Sequence, residues 1–354
     1  MKTPIRLLLL VVIVTLSTSM VAAQSSSTTV FSDDFATAPG TSGKWFYFQA
    51  GPFVGNDGVE SASTADGLRV VSSGINPTTG KPAFTSTMAQ EGSVANPYGL
   101  PGGFDHVKWL MYTNNISSNG VPGYDAIAGQ EVVGGALISG ELFGTAGHPF
   151  GRNVTNATGD PRLAAVALNA VDLESWMVFD FFITNDTVYA LYERLPFGRE
   201  TLGNYASFTF MIPLERRSTD DWHDLRIAYD REAGVVRWIV DGAEEFRVDR
   251  IGYRLDRKYT VLDHGGVEGL VSPRQLNFGM GSFTLLDAQI PGSKALVKLS
   301  TAPDFYFSTS KGEPTQQTFV DKASKDGSRL FGQGAELRVK HFTVETRAST
   351  VTDD

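Results

Sequence analysis

No stretch of this chain keeps the 3.6-residue apolar period of a long amphipathic helix. Short apolar runs recur instead, and Gly 37 and Pro 16 punctuate them. Runs of alternating apolar and polar residues closed by turn residues predict strands, so the expected fold class is all-β. The clearest case is residues 172–197, which read as two long strands around a tight turn at Asn185-Asp186. Further strands are expected at Val30–Phe35, Gly67–Ser72, Val107–Tyr112, 129–133, 135–143, Tyr205–Pro213, Trp222–Asp230, Val235–Gly242 and Ala335–Glu345. Residues 162–169 suit either a short helix or a strand. The glycine-, proline- and asparagine-rich residues 74–104, and the turn-rich residues 286–334, predict long loops.

The first residues carry a different signal. Lys2 and Arg6 precede an apolar run from Leu7 to Leu16, and Val21 and Ala23 satisfy the small-residue rule for cleavage. Residues 1–23 are therefore expected to be a signal peptide, and the mature protein is expected to be secreted, with no membrane segment after cleavage. Residues 24–29 are a polar leader expected to be disordered, 30–347 a single domain, and 348–354 a polar tail. An exported chain with Cys 0 cannot use disulfides and must rely on one large core. Sequons at Asn115, Asn153, Asn156 and Asn185 would make it a glycoprotein in a eukaryotic host. A formal net charge of -9 without a basic run argues against nucleic-acid partners.

One run carries a family signal. Trp222, His223, Leu225, Arg226, Ile227, Tyr229 and Asp230, then Gly234, Val236, Trp238, Ile239, Val240, Asp241 and Gly242, resemble a recurring hairpin of the concanavalin A-like lectin/glucanase superfamily. The resemblance implies a jelly-roll β-sandwich of two antiparallel sheets whose terminal strands pair. It also suggests an uncharacterised secreted branch of that superfamily. The order of elements resembles that of its endo-glucanases. Those enzymes carry a Glu-x-Asp-x-x-Glu strand, or without its bulge Glu-x-Asp-x-Glu, before the Trp-His hairpin. The matching strand here is Met177–Phe182, where Asp180 takes the middle place but Val178 and Phe182 replace the two glutamates.

Residues themselves suggest a different acid pair. With a two-residue turn at 185–186, Phe182 opposes Tyr189, Asp180 opposes Leu191, Val178 opposes Glu193 and Trp176 opposes Leu195. One face then holds Glu174, Trp176, Val178, Asp180, Phe182, Tyr189, Leu191, Glu193 and Leu195. Carboxylates beside aromatic rings suit a sugar: the rings cover the apolar side of a pyranose and the acids take its hydroxyls. Asp180 and Glu193 are diagonal neighbours, roughly 7 Å apart at Cβ, a spacing compatible with a glycosidase pair. Candidate catalytic residues are therefore Asp180 and Glu193, assisted by Glu174, Arg194 and His148. Trp176, Tyr189 and His264 are candidate substrate-binding residues. The bland alternative is that these acids form ion pairs with Arg194 or Arg199 and that the histidines merely brace loops.

The leading functional expectation is a carbohydrate-active or carbohydrate-binding protein whose partner is a poly- or oligosaccharide. Its enzymatic form would be a glycoside hydrolase with a non-standard carboxylate pair. A lectin-like module without turnover stays open. So does an enzyme acting on a small apolar molecule, since Val178, Phe182, Leu191 and Leu195 share the face. No cofactor is expected. No zinc pattern occurs, and Asp33-Asp34 is a weak candidate for a structural calcium.

Overall fold

A computed structural model describes residues 27–50 and 53–351. The expected signal peptide and residues 24–26 of the leader lie outside the described residues. In chain order the strands of the two main sheets are β1 (Thr28–Asp33), β2 (Trp45–Tyr47), β3 (Gly58–Ser63), β4 (Gly67–Ser72), β5 (Val107–Thr113) and β6 (Tyr124–Asp125). They continue with β7 (Gln130–Phe143), β8 (Ala165–Asp172), β9 (Met177–Ile183), β10 (Thr187–Arg194), β11 (Phe208–Arg216) and β12 (His223–Asp230). The last are β13 (Val235–Val240), β14 (Ala243–Val248), β15 (Thr260–Asp263), β16 (Gln275–Phe283) and β17 (Gly334–Ala348).

The eight-stranded sheet runs β14-β13-β12-β7-β17-β4-β3, with β1 also paired to β17. The nine-stranded sheet runs β15-β11-β10-β9-β8-β16-β5-β2, with β6 on β16. Neighbours within both are antiparallel, which makes the fold a jelly-roll β-sandwich. The terminal strands pair, Phe31 opposite Val344 and Asp33 opposite Phe342. The boundaries differ from the sequence reading at both ends. β1 already includes Thr28 and Thr29, because Thr28 and Thr29 find partners in Thr346 and Glu345. β17 reaches Ala348, and Thr350 just beyond it donates its hydroxyl to Glu131. Residues 130–143 form one continuous strand where two were expected, and the ambiguous 162–169 stretch contributes to strand β8.

Alternation explains the core. Phe179, Phe181, Ile183, Val188, Ala190 and Tyr192 leave β9 and β10 toward the other sheet and are all buried. There Phe179 packs within 6.2 Å of Tyr192 and within 6.0 Å of Trp238, a Trp-His hairpin residue. Trp238 Nε1 donates to the Asp180 carbonyl at 2.8 Å and so ties the two sheets together. Gly134 on β7 lies against the Phe278 ring, where a Cβ would sit 2.1 Å from Cδ1. Only glycine permits that approach.

The opposite side of the nine-stranded sheet is also buried, and this positions the site. Val178, Phe182 and Leu191 pack there with Val107, Leu110, Leu262, Tyr306 and Phe319. The long loops expected at 74–104 and 286–334 cross this side and roof it. Polar side chains fasten them. Arg162 donates to Asp160, to Ser293 and to the carbonyls of Asn153 and Lys294. Glu91 accepts from Gly102 and Thr301 backbone N–H groups and from the Ser300 hydroxyl.

Candidate functional site: a roofed cavity on the second sheet

β9 and β10 pair in the register read from the turn: Phe182 with Tyr189, Asp180 with Leu191 and Val178 with Glu193. Asn185 fixes that turn by exchanging hydrogen bonds with both backbone groups of Leu142. Val178, Asp180, Phe182, Leu191, Glu193 and Leu195 therefore share the face away from the inter-sheet core. Beneath the roof they line a cavity of about 300 Å3, closed mainly by Phe46, Phe48, Phe104, Leu110, Phe283 and Phe305. Its walls are mostly apolar and aromatic. The titratable groups inside are Asp180, Glu193, Asp287, His106, His264 and Tyr112.

Asp180 is held on both oxygens. Oδ1 accepts the Ala170 N–H at 3.0 Å and Oδ2 the Asn169 amide at 2.7 Å. Cross-strand pairing of β8 with β9 skips Asn169 and Ala170, so the carboxyl takes over a ladder hydrogen bond there. Burial pushes its pKa well above the carboxylate range; the two hydrogen bonds pull against this, and nearby Glu193 adds to the rise. Burial also raises Glu193, against the Thr209 hydroxyl that donates to Oε1 at 2.5 Å and against the positive pull of His106. No hydrogen bond from the described residues holds Glu193 Oε2.

His106 precedes β5 and lies 2.6 Å through Nε2 from Asp287 Oδ1, while the Tyr306 hydroxyl donates to Asp287 Oδ2 at 2.7 Å. Burial disfavours charge on His106, but Asp287, Glu193 and Asp105 together outweigh it and raise its pKa. Asp287 is correspondingly lowered: burial opposes its charge, and His106 and Tyr306 more than compensate. His264 is the counterpart. Its Nδ1 donates to the Phe305 carbonyl at 2.5 Å, and burial pushes its pKa down to about 4. It is neutral at pH 7, which leaves Nε2 as an acceptor. One cavity thus holds two carboxyls of raised proton affinity, a His106–Asp287 pair and a neutral imidazole, a set able to give and take a proton.

Of the residues expected from sequence, Asp180, Glu193, Trp176 and His264 meet in this cavity. Four others do not. Glu174 belongs to the turn between β8 and β9, where the Asp172 carboxylate accepts the Glu174 and Ser175 N–H groups. Trp176 leaves that turn with φ 64°, so the strand alternation does not extend back to Glu174, which pairs with Arg274 instead. Arg194 follows Glu193 and points to the opposite side, against Tyr205. Tyr189 stays on the cavity side but beyond its end, its hydroxyl donating to the Gly159 carbonyl at 3.3 Å. His148 stacks near Phe150 and accepts its N–H at Nδ1, away from the cavity. Asp33, the calcium candidate, uses its oxygens on the Phe35 N–H and Trp45 Nε1.

His106, Asp287, Tyr306 and Tyr112 were not singled out from sequence. They come from loops and an outer strand, and no local spacing links residue 106 to residue 287. The one available signal was the strand at Val107–Tyr112, whose alternate residues Leu110 and Tyr112 reach the cavity.

Several solved structures are similar to this chain at low superposition scores. An endo-acting O-glycanase of the human gut microbiota matches with a TM-score of 0.41 at 10% identity, covering 90% of this chain and 98% of that one. The kappa-carrageenase of Pseudoalteromonas carrageenovora, solved with an oligotetrasaccharide of kappa-carrageenan, gives 0.38 at 10% identity, covering 94% and 100%. The Bacillus licheniformis beta-glucanase gives 0.36 at 9% identity, covering 90% and 97%. At such scores the likeness identifies no substrate and no catalytic residue here. A curated relative, the uncharacterized protein L829 of Acanthamoeba polyphaga mimivirus, is 31% identical over 343 residues, covering 70% of this chain and 77% of that protein. The model of a family of unknown function, DUF6081, matches residues 29–348, and the chain belongs to that family.

Proposed function

We propose that this protein is an acid–base enzyme that moves a proton on a small, mostly apolar molecule enclosed in the cavity. The observation that carries this reading is the setting of the acids: Asp180, Glu193 and the His106–Asp287 pair stand in a cavity walled by phenylalanine, leucine and valine and covered by loops. A volume of about 300 Å3 suits a compact ligand, and apolar walls offer few partners for the many hydroxyls of a sugar chain. Glu193 is the proton-transfer group, because its Oε2 has no hydrogen-bond partner among the described residues and burial raises its proton affinity. His106, whose proton affinity Asp287 raises, donates a hydrogen bond to an oxygen on the ligand, and His264 Nε2 accepts one. Asp180 holds β8 to β9 through Asn169 and Ala170. The step needs no co-reactant: the proton removed at one position of the substrate is returned at another.

A second reading keeps carbohydrate chemistry. It is favoured by the diagonal placement of Asp180 and Glu193 and by the Trp176 and Tyr112 rings on the same cavity. The reacting molecule would then be a short saccharide, because the roof crosses the strands along which a polymer would lie. Secretion of the mature protein accords with either reading and rests on residues 1–23 alone.

Trp176 provides the test. Titration of purified protein with 1-naphthol, as a compact apolar probe, and with laminari- and cello-oligosaccharides is followed by tryptophan fluorescence. Saturable quenching by naphthol, competed by true substrates found in a panel of terpenoid and aromatic ketones, supports the proposal. Glu193→Gln should then retain binding and lose turnover. Binding or cleavage of saccharides with no response to naphthol refutes it in favour of the second reading.

A further inference from the structure

A second pocket, of about 420 Å3, opens at the end of the sandwich beside the turn that joins β8 to β9. Its central group is Arg194. This side chain is only 7% exposed, yet it forms no ion pair with any described carboxylate. Nε donates to the Ser175 carbonyl at 3.2 Å, and the guanidinium lies 3.9 Å from the Tyr205 ring centre. Nη1 and Nη2 donate to no described residue, and neither is sealed from the pocket. Other buried arginines are spent. Arg162 uses both terminal nitrogens on protein acceptors, and Arg217 does the same on the Gly140, Thr184 and Asp221 carbonyls and the Ser139 hydroxyl.

The acids nearby do not claim the fork. Asp172 accepts four hydrogen bonds, from the Glu174 and Ser175 N–H groups, the Ser175 hydroxyl and Gln275. Glu174 is matched by Arg274 and Gln275. What remains is a guanidinium fixed by stacking and by Nε at a pocket that Arg194 lines, with two terminal nitrogens that have no acceptor among the described residues. Leu202 and Leu270 line the same pocket and are 49% and 70% exposed, so apolar surface adjoins the guanidinium.

We propose that this pocket binds a carboxylate with a short apolar tail, the carboxylate paired bidentately with Arg194 and the tail lying on Leu202 and Leu270. A single fork matches one carboxylate. A phosphate would bring more negative charge toward Asp172 and Glu174 than one arginine offsets. The site is separate from the roofed cavity, because neighbouring residues on β10 point to opposite sides: Glu193 to the cavity and Arg194 to this pocket.

The test is titration of the full chain with sodium hexanoate and, in parallel, hexan-1-ol, read by calorimetry and by amide NMR shifts. Hexanoate should bind saturably and move the Leu270 and Val271 amides. Hexan-1-ol and the variant Arg194→Gln should each lose roughly tenfold or more in affinity, the scale of a charge-assisted pair. Because Arg194 is buried, Leu270→Asp serves as a second variant at an exposed position, and it should weaken hexanoate binding too. The proposal is overturned if hexanoate and hexan-1-ol bind alike, if both variants bind hexanoate as the wild type does, if no saturable binding occurs at millimolar concentration, or if shifts fall only on cavity residues such as Val178.

Discussion

Asp180→Asn should stabilise the protein at neutral and alkaline pH, although it alters a buried, doubly hydrogen-bonded side chain. Burial raises the folded-state pKa of this carboxyl well above its ordinary value. Between the unfolded and folded values the native state binds the extra proton, so its contribution to stability is present at low pH and falls as pH rises through the folded value. Each tenfold gain in proton affinity on folding corresponds to about 1.4 kcal/mol lost once the group must ionise. An amide never ionises. It also fits the site: its oxygen can accept the Ala170 N–H, as Oδ1 does now at 3.0 Å. Its nitrogen needs an acceptor, and Asn169 Oδ1 is a buried atom without a partner. Turning the Asn169 amide over supplies that acceptor, and amide orientation is free to follow the network. Both hydrogen bonds survive. Thermal melts of wild type and variant from about pH 4.5 to about pH 8.5 should diverge toward the alkaline end. Every ~1 kcal/mol gained there raises Tm by roughly 2–4 °C. Asp180→Ala is the control. It leaves the Ala170 N–H unpaired and should cost about 1–3 kcal/mol. If Asp180→Asn is destabilised equally at every pH, burial does not raise the proton affinity of this carboxyl and the reasoning from burial is refuted.

Other residues give independent checks. His264 has a folded pKa near 4 against an ordinary 6.5, so the unfolded state binds the extra proton between these values. Stability should fall as pH drops through that window, by about 3 kcal/mol in full, and His264→Gln should flatten the acid limb of the curve seen by chemical denaturation. Gly198→Ala puts a Cβ 2.1 Å from Trp176 Cδ1 and should displace that ring. A shifted tryptophan emission maximum with a stability loss of roughly 1–3 kcal/mol is expected. Trp238→Phe removes the donor that reaches the Asp180 carbonyl from the other sheet and should cost roughly 2–4 kcal/mol in urea unfolding.

The hairpin shows how far the sequence could be read. Its register needed only a two-residue turn and strict alternation, both local, and so the pairing of Val178 with Glu193 and Asp180 with Leu191 was legible in the residues themselves. The same rule failed at Glu174, because alternation holds only inside a strand. The left-handed conformation of Trp176 ends the strand one residue before Met177, and nothing in the residue type announces φ 64° there. Arg194 shows the reverse: alternation placed it correctly on the other side from Glu193, and only the functional role assigned to it ignored that. The His106–Asp287–Tyr306 chain lay out of reach, since it is assembled by loops whose course depends on what they cover.

That dependence bears on function. The face of acids and rings across β9 and β10 is what an open saccharide groove would use, and from the hairpin alone a groove is the natural inference. Loops 74–104 and 286–334 change the chemistry without changing the face. By burying Val178, Phe182 and Leu191 under Tyr306 and Phe319, they remove water from around Asp180 and Glu193. Loss of water is the first cause of both raised pKa values. The acids therefore owe their raised proton affinity to the roof. In an open cleft with the same hairpin, water would favour the charged form of both. Loosening the roof should accordingly lower their pKa values before it unfolds the sandwich. Glu91→Gln weakens the link between residues 91, 102 and 300–301 at a site outside the cavity. Carboxyl titration by 13C NMR in that variant should show Glu193 shifted toward the ordinary glutamate range. An unchanged Glu193 titration in a demonstrably loosened roof would mean that the neighbouring charges, and not exclusion of water, set its proton affinity.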